Sequence, residues 1–199
     1  MSTSVPSRND RAALIIAIII GVGVVGYSLI DAITRIVVIV GNTNVPVTAA
    51  FDTAATLPLE PDGSTIDIIA SQAVVHASDM AGITVVSLVL AEVVYAVAVS
   101  VTVLCASFAL RNIIRGRAFS AANVGLVGTA TLTVAFGWIL NWLFTTMGAN
   151  GALAALGAPG ANAPFAVEPV MIFAIAALGG LSTAFVAGHR LENETKGLV

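Results

Sequence analysis

Five polar side chains interrupt the long apolar runs of this chain or stand at their ends: Asp31, Arg35, Glu92, Asn141 and Glu168. Carboxylates and a guanidinium at such positions can relay protons or hold a cation, because an ionised group in or near hydrocarbon is costly unless it is paired. Arg35 lies at i+4 from Asp31, so the two share one helix face. The group is readable as a proton or cation site at the mouth of a helix bundle. It is also readable as an ion-pair and hydrogen-bond cluster that pins helix ends together, and the depth count below favours this second reading.

Other chemistry finds little support. The chain has one cysteine, Cys105, set in apolar sequence, where it behaves as a small hydrophobe. His76 and His189 stand alone, with no second histidine or cysteine near either to make a metal site. The string Gly21-Val22-Gly23-Val24-Val25-Gly26 matches the dinucleotide-binding pattern, but that pattern needs a preceding strand and a helix that starts at the phosphates. Here it sits inside an apolar run. Small residues that let helices approach closely explain it better, as do Ala17, Gly21, Ala176, Gly180, Ala184 and Gly188 at small-x-x-x-small spacing. No catalytic set, cofactor or metal is expected. The net charge of −3, with only eight Lys and Arg, argues against nucleic acid as a direct partner.

The elements that position these residues are dictated by composition. Of 199 residues, 58% are hydrophobic and 10% charged, and the mean hydropathy is +1.00. A soluble domain is about one quarter charged. About 20 apolar residues cross the hydrocarbon of a bilayer, and four runs qualify, at about 12–34, 82–110, 124–147 and 169–188. The expected fold is an all-α integral membrane protein, residues 1–199 forming one four-transmembrane-helix domain, with a small extracytoplasmic segment at 41–79 containing short strands. The first run has basic flanks like a signal peptide, yet its core is long and no small-residue cleavage site follows before Asp31, so it is read as a retained helix. Ser120 is placed to N-cap the third span, and Pro169 opens the fourth.

Seven of the eight cations fall in the N-terminal stretch, the link between spans two and three, and the C-terminal tail. By the positive-inside rule these face the cytoplasm, with both termini inside a bacterial plasma membrane. Counted from those cations at 1.5 Å per residue, Asp31 and Glu92 lie roughly 30 Å up, at the outer rim rather than the bilayer centre. Tyr27, Tyr95, Trp138 and Trp142 fit interfacial belting. In the exterior segment, Val45–Phe51 and Ile66–Val75 are rich in β-branched residues and flank a turn signal, Pro61-Asp62-Gly63-Ser64, which predicts two or three strands. A hairpin there would need the helix tops for support. The second exterior link, Gly148–Val167, reads as a loop lying on the membrane surface. The inner link, Arg111 to Asn123, is a basic joint whose Arg111, Arg115 and Arg117 are candidates for contact with anionic lipid or a soluble partner. His189, beside Arg190, is expected to snorkel or be solvated.

Four spans, a Gly-Arg-x-Phe-Ser-x-x-Asn joint at Gly116–Asn123 and a short acidic tail at Leu191–Val199 resemble the uncharacterised bacterial membrane family called domain-of-unknown-function family 2975. The resemblance covers most of the chain, although the family's ends are less basic and continue after a Glu-rich turn. It implies a membrane partner of a helix-turn-helix regulator and carries over no catalytic residue. The expected function is therefore a non-catalytic inner-membrane accessory, sensor or regulatory partner. The alternative is a small oligomeric transporter or channel subunit, for which the sequence offers neither a broken helix nor a clear inverted repeat.

Overall fold

A computed structural model describes residues 8–50, 55–58, 65–68, 72–158 and 169–196. The chain is mostly helical, in the order α1 (Arg8–Gly41), β1 (Val45–Ala50), β2 (Ala55–Pro58), β3 (Thr65–Ile68), β4 (Gln72–Ala77), α2 (Gly82–Ile114), α3 (Ala121–Ala155) and α4 (Pro169–Lys196). All four helices are long and apolar enough to cross a membrane. Their Ile- and Val-rich sequence has no strong helical propensity in water. In hydrocarbon, however, only a helix satisfies every backbone group within one segment.

All four helices outrun their sequence-based limits, α2 by one turn to Ile114. α1 continues past residue 34 to Gly41, and Ile39 in that extension is buried. The tail of α4 stays helical through two polar turns beyond residue 188. The largest correction concerns α3: residues 148–155 are helix rather than surface loop. Two glycines made that segment look irregular, yet they are what let it pack. A Cβ at Gly148 would fall 2.3 Å from the Leu88 side chain, and one at Gly151 would fall 2.0 Å from Thr84 Oγ1.

Glycine also stops helices. Gly116, at φ 74°, and Gly157, at φ 79°, each follow a helix with the paired bonds of a Schellman cap. Gly116 N–H donates to Ile113 O and Arg117 N–H to Asn112 O, while Gly157 N–H donates to Ala154 O and Ala158 N–H to Leu153 O.

The strands form two nested antiparallel pairs rather than the two or three strands expected. β1 pairs β4 from Val45↔Ala77 to Ala50↔Gln72, and β2 pairs β3 from Ala55↔Ile68 to Pro58↔Thr65. The expected turn at 61–64 lies outside the described residues. Along β1 the burial alternates, with Val45, Val47 and Ala49 turned inward.

The chain divides into two compact units. One, the joint unit, holds residues 1–32, 94–139 and 168–199; the other, the hairpin unit, holds 33–93 and 140–167. The hairpin unit has a dense apolar core of Ile39, Val45, Val47, Ala77, Met80, Leu88, Ala149, Ala152 and Leu153.

Candidate functional site

The hairpin unit is assembled around the point where α1 hands over to β1 and β4 returns to α2. Asn42 takes a left-handed conformation at φ 47°, which ends α1, and its amide then clamps the returning chain. Its Nδ2 donates to Met80 O, and its Oδ1 accepts from Met80 N–H, both at 3.0 Å. Asp79 N–H donates to Asn42 O, and Asn44 N–H donates to Ser78 Oγ at 2.8 Å. Asn44 and Asp79 are left-handed too, at φ 52° and 54°. Asn and Asp tolerate that region better than other residues with a side chain.

Against this closed base the hairpin and helix ends border a half-open cavity of about 420 Å³. Thr34, Arg35, Val38 and Ile39 of α1, Val45–Thr48 of β1, Val74 of β4, Leu88, Ala91 and Glu92 of α2, and Thr145 of α3 line it. Arg35 and Glu92 form an ion pair in its wall, Nη1 to Oε1 at 3.5 Å. The Arg35 side chain is 61% exposed and that of Glu92 19%, so the pair has one wet and one sheltered partner. One turn of α2 is also tied to α3: Asn141 Nδ2 donates to Ala91 O at 2.9 Å. Apolar walls with one fixed cation and one fixed anion suit a small amphiphile whose polar end can bridge or divide the pair.

Of the five polar residues singled out from sequence, Arg35, Glu92 and Asn141 belong to this unit. Asp31 belongs to the joint unit, and Glu168 lies outside the described residues. The strand contribution to the cavity was not foreseen, although the alternation of β1 carries it. The Asn42 clamp was not foreseen either; the signal was an Asn-Thr-Asn run immediately after a long apolar helix.

The second candidate region is the joint. Asn123, 0% exposed, stands at the third position of α3 behind the Ser120 cap. Its Nδ2 donates to Ala118 O at 2.9 Å and Arg117 O at 3.2 Å, and its Oδ1 accepts from Asn112 Nδ2 at 2.9 Å. One side chain thus ties the end of α2, the link and the start of α3. α4 docks on the same link. The Phe119 ring lies over Gly188, where a Cβ would come within 2.4 Å, and tilts against Phe185 with centroids 5.7 Å apart. His189 Nδ1 is 2.6 Å from Phe119 O. A carbonyl only accepts, so Nδ1 carries the hydrogen and Nε2 can accept from Asn193 Nδ2 at 3.2 Å. The expected solvated or snorkelling histidine is instead a tertiary contact. Around this braced link Arg111, Arg115 and Arg117 are all exposed.

Cys105 is buried, and His76 is exposed opposite Pro46 on the hairpin. Among the described residues no three His, Cys, Asp or Glu side chains are grouped to hold a metal ion. Compared with models of known protein families, with curated proteins and with solved structures, the chain finds no match.

Proposed function

We propose that this chain is a non-catalytic protein of the bacterial inner membrane that senses a small amphiphile at the hairpin end and acts through a partner at the joint. The cavity of about 420 Å³, with the Arg35–Glu92 pair in its wall, carries this reading. The cation bias of the sequence supports placing both termini and the joint in the cytoplasm, and the hairpin outside. On this reading the likeness to family 2975 is also a proposal, and it makes a helix-turn-helix regulator the partner to look for.

Two measurements test it. A labelling enzyme fused at the C-terminus should mark one cytoplasmic protein in cells, and Val74→Trp, at an exposed position in the cavity lining, should change that mark. An unchanged pattern removes the sensor role. A thiol introduced at Ser120 should resist an impermeant reagent in intact cells, and reaction there reverses the topology. Proton or cation flux through the purified chain in liposomes, lost in Glu92→Gln with stability unchanged, would establish the transporter reading instead.

A further inference from the structure

The joint unit contains a second cavity that the sensor reading does not use. It is a groove of about 450 Å³ between the Ile18–Gly26 stretch of α1 and the Val103–Arg111 stretch of α2. Its making is visible in the glycines. Gly21 brings α1 close to α2, its Cβ position only 2.9 Å from Val103 Cγ1, whereas Gly26 has open space where a side chain would be. Leu104 and Phe108 form an exposed apolar wall. The lining is apolar almost throughout, and Arg111, in the last turn of α2 and exposed, borders it.

An apolar trough about 12 Å long on α1, bordered by an exposed arginine, has the same order of parts as an anionic phospholipid: hydrocarbon, then phosphate. Basic pockets between membrane helices recognise lipid headgroups by this complementarity. We propose that the α1–α2 groove is a binding site for one anionic phospholipid, with an acyl chain along Gly26, Val22 and Leu104 and the phosphate on Arg111. The proposal is independent of the hairpin cavity and of any partner protein. It also separates the three joint arginines, since Arg111 lines the groove and Arg115 and Arg117 do not.

The test uses the full chain in detergent, titrated with phosphatidylglycerol or with phosphatidylcholine of the same acyl chains, and native mass spectrometry to count bound lipid. Phosphatidylglycerol should bind about five-fold tighter, the equivalent of about 1 kcal/mol for one basic residue at an anionic headgroup. Arg111→Gln should abolish that preference, and Arg115→Gln should keep it. Gly26→Phe, which fills open space, should lower occupancy by both lipids while the protein still elutes as wild type. Equal binding of the two lipids by the wild type overturns the proposal. So does an equal loss in Arg115→Gln, which would mark a diffuse basic surface rather than a site.

Discussion

The two units bury different kinds of residue. The core of the hairpin unit holds Ile39, Val45, Val47, Met80, Leu88 and Leu153 alongside four alanines, and removing such large side chains from water is itself stabilising. The joint unit buries Gly21, Ser28, Ala32, Ala96, Cys105, Ala109 and Asn123, nearly all small or polar, while large apolar residues such as Ile19, Val22, Phe136 and Phe173 are exposed. Where helices face lipid, burying a leucine gains nothing over leaving it exposed, and association relies on close approach and hydrogen bonds. On the proposed membrane placement, the contrast is what one chain folding in two solvents should produce: a water-driven core at the hairpin, and a lipid-compatible interface in the joint unit.

Paired truncations can break that contrast. Leu88→Ala should destabilise the hairpin unit by about 3 kcal/mol, through lost burial and the cavity left behind, read as faster hydrogen exchange along the Val45–Ala77 ladder. Val103→Ala, at the Gly21 contact, should cost less than half as much in lipid nanodiscs. Equal costs would mean that one driving force serves both units.

Asn123→Leu sharpens the other side of the comparison. It keeps the branched outline, though not the volume, and removes every side-chain hydrogen bond of a fully buried residue, and should cost about 2 kcal/mol or more. The loss should appear as a lower unfolding temperature in detergent and as exchange of the Arg117–Asn123 amides. Gly188→Ala should follow at about 1 kcal/mol, because the Phe119 ring it strikes is part-exposed and can give way. Adding Phe119→Leu should return part of that loss, and strict additivity would show that the two do not touch.

The ion pair has the smallest expected effect. With Arg35 61% exposed, Arg35→Ala should shift stability by less than about 1 kcal/mol. Glu92→Gln in that background should add almost nothing, since the sheltered carboxylate is then neutral. A large loss would assign the pair a pinning role that its exposure does not suggest.

How far sequence reaches differs between the same two units. The spans were legible because hydropathy over 20 residues leaves few alternatives, whereas counting rises along helices put Asp31 and Glu92 at one level without choosing between Glu92 and Glu168 as a partner for Arg35. The helical end of α3 was not legible. Gly148 and Gly151 lower local propensity, and only the positions of Leu88 and Thr84 on another helix show why a side chain is forbidden there. Asn123 stood out as part of the joint string, but its spelling suggests a cap, and nothing local reveals that Asn112 and the Arg117 and Ala118 carbonyls converge on it.

The Asn42 clamp has a consequence for what this chain tolerates. It joins residues 38 positions apart directly at the ends of α1 and α2, so the ring it closes is sealed at its base. The entropy of closing such a ring grows only logarithmically with its length, about 0.6 kcal/mol for each doubling. Added length inside the ring is therefore nearly invisible to the helices, whereas a change at Asn42 or Met80 reaches both of them. Homologous chains should accordingly vary freely in the size of this segment while keeping a left-handed, amide-bearing residue where α1 stops.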